Sequence, residues 1–304
     1  MRAPTTSEIP RERTRVCGPP GHSSRLGRCQ RILRFSGAKR TGSPVTRPPR
    51  GQQPVVLATD LDGTFLGGDD AARAALYEWI GRHREEVVLI FVSGRGQAFM
   101  RELAETLPVR PDHCIGDVGT SVHSGPRLEP LREVEDWLDE AWPPHAHASI
   151  GDAMRAHPQL LEQQGCGGRR RSYLYRDATA AAKAATDVEA LGFDTLVSDG
   201  RFFDVLPRGV QKGPTLLRTL GALGLPPQRT LVAGDTLNDL SMFDTGLSGV
   251  AVGNREPELD RALASHANVY RARAAGAAGV LDALERFHAG EEIHGCIAGH
   301  RLSP

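Results

Sequence analysis

Two aspartates two residues apart, Asp60 and Asp62, sit in Asp60-Leu-Asp-Gly-Thr64 at the end of an apolar run. Carboxylates that close repel each other unless a cation lies between or beside them. A divalent ion resolves the conflict, and a site rich in carboxylates and poor in His and Cys favours Mg²⁺ over zinc or copper. Asp235 and Asp239, with Asn238 between them, add further oxygen donors in Gly234-Asp-Thr-Leu-Asn-Asp-Leu-Ser-Met242. Ser93, in Ser93-Gly94-Arg95, and Lys212 bring a hydroxyl, backbone N–H groups at a helix start and an ammonium. Together these hold a tetrahedral anion. One carboxylate can then serve as nucleophile and another as its proton partner. Each motif alone also has a plain structural reading, as a turn, a helix cap or a solvated charge. Their order at four successive strand-to-helix junctions is what points to chemistry. An EF-hand is excluded, because glycine occupies the fourth loop position and no Glu stands at the twelfth.

The elements that must carry these residues follow from hydrophobic periodicity. Residues 54–59, 87–92 and 230–234 are apolar nearly throughout, as in parallel strands covered on both faces. Stretches at 71–83, 97–107, 213–223, 237–243, 256–265 and 275–287 read as helices, with shorter strands at 249–252 and 267–270. This alternation predicts an α/β fold with a doubly wound, Rossmann-like parallel-sheet core, whose ligands bind beyond the carboxyl ends of the strands. Residues 118–199 break the rhythm with a glycine and arginine patch at 165–171, an alternating segment at 172–175 and an Ala-rich helix at 179–191. They read as a smaller α+β cap domain, with Trp137 and Trp142 in its core, inserted between core segments 54–117 and 200–288. Residues 289–304 read as a flexible tail.

With 39% hydrophobic and 24% charged residues in 304, the chain has an ordinary globular composition. Its longest purely apolar run is six residues, against the roughly 20 that a membrane helix needs, so no membrane role is expected. The five cysteines (Cys17, Cys29, Cys114, Cys166 and Cys296) lack C-x-x-C spacing, which argues against a disulfide framework or zinc site and for a reducing cytoplasm. The zero net charge conceals an asymmetry. Residues 1–53 hold twelve basic side chains against Glu8 and Glu12, a net +10, and the remainder therefore carries −10. That basic stretch, rich in Pro, Gly, Ser and Arg, reads as a disordered leader of a composition shared by targeting peptides and by translated upstream DNA. No nucleic-acid partner is expected.

Asp60-Leu-Asp-Gly-Thr64, Ser93-Gly-Arg95, Lys212-Gly213 and Gly234-Asp-x-x-Asn-Asp239 resemble, in order and in strand context, the four motifs of the haloacid dehalogenase-like phosphatases. The likeness spans 54–288, and the insertion after the second motif matches the branch with its cap at that location. Ile115-Gly-Asp-Val-Gly-Thr120 and Phe203-Asp-Val-Leu-Pro207 further resemble sucrose-phosphate phosphatases and related sugar-phosphate phosphatases. The resemblance implies that Asp60 attacks phosphorus to give an aspartyl-phosphate, while Asp62 protonates the leaving sugar oxygen and then activates water. It implies Mg²⁺ held by Asp60, the backbone carbonyl of Asp62 and Asp235, with Asn238 and Asp239 ordering that loop. Ser93 would hydrogen-bond the transferring group, Lys212 neutralise it, and Gly63 admit the phosphate close to the backbone, beside Gly94 and Arg95. The cap would choose the sugar phosphate, with Arg170, Tyr173 and Tyr175 as candidates beside Arg169 and Arg171. A partner glycosyltransferase that makes the phosphorylated product is implied too. Two rivals stand beside this reading. A phosphomannomutase-like phosphotransferase shares the first motif but has a longer, glycine-rich fourth one. A catalytically silent regulatory or binding module has no support from the intact set of Asp60, Asp62, Ser93, Lys212 and Asp235.

Overall fold

A computed structural model of the chain describes residues 53–163 and 168–293. The expected leader up to residue 52 and the expected tail from residue 294 lie outside the described residues. In chain order the elements are β1 (Val55–Thr59), α1 (Asp70–Arg82), β2 (Val87–Val92), α2 (Gln97–Thr106), β3 (His113–Gly116), β4 (Ser121–Ser124), β5 (Glu129–Pro130) and α3 (Arg132–Ala141). There follow α4 (Ala146–Met154), β6 (Leu161–Glu162), β7 (Arg171–Leu174), α5 (Ala178–Glu189), β8 (Asp194–Ser198), β9 (Phe202–Leu206) and α6 (Lys212–Leu223). The chain continues through β10 (Thr230–Gly234), α7 (Leu240–Phe243), β11 (Ser248–Ala251), α8 (Pro257–Ala262), β12 (Val269–Arg271) and α9 (Gly276–His288). No helix among them is long and apolar enough to cross a membrane.

The large sheet has eight strands in the order β12-β11-β10-β1-β2-β3-β4-β5 and is parallel from β12 to β3. Strand β1 is fully buried, as a central strand covered by helices on both faces must be. The chain winds outward from β1 in one direction through β2 and β3, and in the other through β10, β11 and β12. The crevice therefore opens between β1 and β10, where the winding reverses. Register completes the placement. Thr59 pairs with both Phe91 and Ala233, so Asp60 comes abreast of Val92 and Gly234, one residue before Ser93 and Asp235.

A separate four-stranded antiparallel sheet, β6-β7-β9-β8, carries α4 and α5 on one face. Its apolar cluster (Ile150, Tyr173, Ala184, Val188, Phe203 and neighbours) is distinct from that of the large sheet. The doubly wound core with a smaller cap is thus the architecture of the molecule. Sheet pairing nevertheless moves the expected boundaries at 118 and 199. Strands β4 and β5 extend the large sheet as an antiparallel hairpin, and α3 packs on it through Val134 and Leu138, one turn apart. Trp137 consequently packs against the large core, and only Trp142 against the cap cluster. Strand β9, expected in the core, pairs with β7 and β8 instead.

Helix α6 ends on Gly224 in the left-handed region, a common helix stop. At its start, Gly213 has no room for a side chain, because a Cβ there would lie 1.8 Å from the Ser241 carbonyl oxygen. That approach brings the first turn of α6 onto α7. Gly213→Ala is expected to push the two helices apart and cost about 3 kcal/mol, an overpacking penalty, visible as a fall in Tm of roughly 6–12 °C. Gly221→Ala in the same helix, where a Cβ meets nothing within 4 Å, should instead leave Tm unchanged or raised.

Candidate active site

Beyond β1 the chain enters a wide turn, Leu61–Phe65, in which Gly63 takes φ 88°. Only glycine suits that backbone, and a Cβ there would also fall 2.1 Å from Asp235 Oδ2. The turn thus presses against Asp235, and Thr64 Oγ1 donates to Asp235 Oδ1 at 2.8 Å. Asn254 closes the other side. Its Nδ2 donates to Asp235 Oδ2 at 3.2 Å and to the Gly63 carbonyl at 3.1 Å, while its Oδ1 accepts from the Gly276 N–H at 2.8 Å.

Lys212, the first residue of α6, is fully buried and spends its three donors on Asp60 Oδ1 (2.7 Å), Asn238 Oδ1 (2.7 Å) and Asp239 Oδ1 (2.6 Å). Asp239, also fully buried, accepts the N–H groups of Asp235 and Thr236 on Oδ2 at 3.0 and 3.1 Å. This capping box turns residues 237–239 into a tight 3₁₀ turn ahead of α7, where the sequence predicts one helix. Burial would lower the Lys212 ammonium, but Asp239 and Asp60 outweigh it and hold it above its usual range. Burial, opposed by Lys212 and reinforced by Asp239 and Asp235, pushes the Asp60 carboxyl well above the carboxylate range. Asp235, raised by burial and by Asp239, is pushed up to about 7.

Oxygens of Asp60, Asp235 and Asp239 lie within 4.8 Å of one another. Three buried carboxylates face one ammonium. Burial is the first cause of the upward displacement of Asp60 and Asp235, repulsion from Asp239 adds to it, and a cation there would favour the charged forms against both. An all-oxygen donor set of this kind fits a hard divalent ion. The Asp62 carboxylate lies outside the cluster. It is 38% exposed and receives Arg95 Nε on Oδ2 at 2.7 Å and Arg95 Nη2 on Oδ1 at 3.1 Å.

At the end of β2, Ser93 is buried, donates its N–H to Ile115 O at 2.9 Å, and accepts the Arg95 N–H on Oγ at 3.2 Å. The Gly94 carbonyl accepts from Arg170 Nη1 at 3.3 Å, and Arg170 Nη2 reaches Asp117 Oδ1 at 3.3 Å. Asp204 lies 3.7 Å from Arg170 and accepts the Ser172 hydroxyl, while Arg170 Nε is buried without a partner. Burial raises the Asp117 and Asp204 carboxyls, with Arg170 opposing it in both cases.

Strand alternation separates the cap residues that the sequence reading grouped. Side chains at 171, 173 and 175 point to the opposite face from those at 170, 172 and 174. Tyr173 and Tyr175 are accordingly buried in the apolar cluster beneath α4 and α5, a packing role rather than a substrate-facing one. Arg169 bridges to the Thr120 carbonyl, Glu135 and Asp139, and Arg171 to Glu162 and the His147 carbonyl. Thr64, Asp117, Asp204 and Asn254 were not singled out from the sequence. The first three lie within recognised motif text, but Asn254, in Gly253-Asn254-Arg255, reads there only as a turn.

A family model described as sucrose-6F-phosphate phosphohydrolase matches residues 53–288. Glucosylglycerol-phosphate synthase of Pseudomonas anguilliseptica is 39% identical over 236 residues, which cover 77% of this chain but 31% of that protein. Mannosylfructose-phosphate phosphatase of Agrobacterium fabrum is 32% identical over 239 residues, covering 76% of this chain and 96% of that one. The solved sucrose-phosphatase from Synechocystis sp., in complex with sucrose and phosphate, superposes with a TM-score of 0.71 at 26% identity, covering 78% of this chain and 99% of that chain. The chain thus spans under a third of the synthase and nearly all of the bacterial phosphatase. Matched over more than three quarters of its length by the family model, and sharing motifs and architecture with these relatives, the chain belongs to the sucrose-6F-phosphate phosphohydrolase family, with a haloacid dehalogenase-like fold.

Proposed function

We propose that the protein is a Mg²⁺-dependent phosphatase that hydrolyses the phosphate monoester of a sugar or sugar-derived osmolyte through an aspartyl-phosphate on Asp60. The observation that carries this reading is Asp60 itself: buried, bonded through Oδ1 to Lys212, and abreast of Val92 and Gly234, the residues just before Ser93 and Asp235 on the flanking strands. An Asp60 carboxylate oxygen bonds to phosphorus as the bond from phosphorus to the sugar oxygen breaks, and Asp62 gives that oxygen a proton. Asp62 then takes a proton from the water that attacks phosphorus, which frees phosphate and restores Asp60. The Ser93 hydroxyl holds the transferring group, and Lys212 balances its charge. Asp60, the Asp62 backbone carbonyl and Asp235 would hold Mg²⁺, whose positive charge offsets repulsion between an anionic nucleophile and an anionic substrate. Asp239 and Asn238 order that loop through the bonds they make to Lys212 and, for Asp239, to the Asp235 and Thr236 amides.

The relatives' names support a substrate class. Each concerns a glycoside carrying a phosphate, and the region that resembles this chain forms part of a protein named as a synthase. A phosphorylated glycoside made by a glycosyltransferase is the class proposed here. Arg170, whose buried Nε lacks a partner, is the cap donor suited to a sugar hydroxyl.

Phosphate release with Mg²⁺ and with EDTA, across sucrose 6-phosphate, mannosylfructose phosphate and glucosylglycerol phosphate, should give one strong hit that EDTA abolishes. On that substrate Asp60→Asn should lose about a thousandfold or more in kcat with its melting curve preserved, and retained turnover would overturn the mechanism. Lys212→Met leaves three buried carboxylates without their ammonium. It should cost about 3–5 kcal/mol of stability in metal-free buffer, measured by urea denaturation.

A further inference from the structure

We infer that Arg95 is a positioning residue for Asp62, holding in place the carboxyl group that serves the leaving oxygen. The inference rests on the phosphatase reading above. Asp62 sits in a turn whose backbone leaves helical geometry at Asp62 (φ −73°, ψ 115°) and Gly63, and its side chain is 38% exposed. A carboxylate in that setting samples several rotamers, and the advantage of proximity is lost with each wrong one. Its hydrogen bonds come from the neighbouring strand end, where Arg95 Nε and Nη2 meet its two oxygens at 2.7 and 3.1 Å. That is the two-pronged fork a guanidinium makes and an ammonium cannot.

Arg95 is itself held. Its guanidinium carbon lies 4.7 Å from the centre of the Phe99 ring, its N–H donates to Ser93 Oγ at 3.2 Å, and its carbonyl accepts the Asp117 N–H at 2.9 Å. One short loop therefore places both the hydroxyl for the phosphoryl group and the clamp on the proton donor. The fork faces Asp62, so the arginine of the second motif serves the first motif rather than the phosphate.

In the first step the electron pair of the breaking bond goes to the sugar oxygen, which takes the proton from Asp62. Both bonds from the Arg95 guanidinium gain an ionised acceptor as the proton departs, so the clamp is stronger late in the step than before it. A sugar alkoxide needs that proton, whereas a nitrophenolate leaves without it.

The test compares leaving groups. Wild type, Arg95→Gln and Arg95→Lys are assayed with Mg²⁺ on p-nitrophenyl phosphate and on sucrose 6-phosphate, or on glucosylglycerol phosphate where that is the active sugar ester. In single turnover, Arg95→Gln should slow release of the sugar about 30- to 100-fold, part of what general acid catalysis contributes, and release of p-nitrophenol less than about threefold. The second step, in which Asp62 serves the same aspartyl-phosphate, should slow alike for both. Arg95→Lys, which keeps the charge without the fork, should recover only part of the loss, and KM should stay within about threefold throughout. Equal slowing of the release of sugar and of p-nitrophenol in single turnover, a raised KM with kcat kept, or no loss on either would overturn the inference. A wild-type enzyme inactive on every ester overturns the phosphatase reading itself, and the inference with it. Melting curves check both variants for folding, and Arg95→Lys carries the same comparison if Arg95→Gln does not fold.

Discussion

The buried ammonium of Lys212 is the contact on which the site is built. It joins the end of β1, the start of α6 and the turn before α7, segments more than 150 residues apart in sequence at their extremes, through three hydrogen bonds of 2.6–2.7 Å. A buried ion cluster is a poor source of net stability, because desolvation offsets most of the Coulomb gain. Its persistence here has to be read as geometry. With one ammonium set against Asp60, Asp235 and Asp239, the fold gathers an excess of acidic groups at the strand ends, a donor set that fits a divalent ion.

Holding carboxylates that close demands backbone that approaches closely as well. Glycines supply it at the few places where the cluster is assembled. Gly63 lets the first motif touch Asp235, and Gly213 sets α6 on α7. At Gly234 a Cβ would fall 2.5 Å from the Asp239 Cβ. These three glycines therefore serve the same purpose as Lys212: they convert a charge pattern spread along the sequence into one volume a few ångströms wide.

This explains which parts of the molecule were legible beforehand. Parallel strands covered on both faces must be apolar and must end where the chain meets water, so β1, β2 and β10 announce both themselves and the polar residues that follow them. The cap was harder for the same physical reason. Strands β4 and β5 are short and partly exposed, and nothing local tells a hairpin that extends a sheet from one that starts another. Trp137 is a large apolar residue in either setting, and only the Val134 and Leu138 face of α3 assigns it to the core. The alternation at 172–175 puts Tyr173 and Tyr175 on one face of a strand but does not say which face, and packing of α4 and α5 on that side buries them. Asn254 carries no charge and stands in an ordinary turn sequence, so its contacts with Gly63, Asp235 and Gly276 emerge only in three dimensions.

The same geometry ties recognition to chemistry. Arg170 belongs to the cap, yet it bonds the Gly94 carbonyl beside Ser93 and the Asp117 carboxylate in the core. Asp117 and Val118 both hold positive φ, a costly conformation for a β-branched residue, and Gly119, at φ 103°, leaves no room for a Cβ against Gln211 and Lys212. The strained loop thus runs from the cap's arginine to the residue that orients the nucleophile. Arg170 thereby fastens the cap to the loop that carries Ser93 and Arg95. One cap guanidinium thus lies between the loop that carries Ser93 and Arg95 and the loop that packs against Lys212, joining the cap to both sides of the motif cluster.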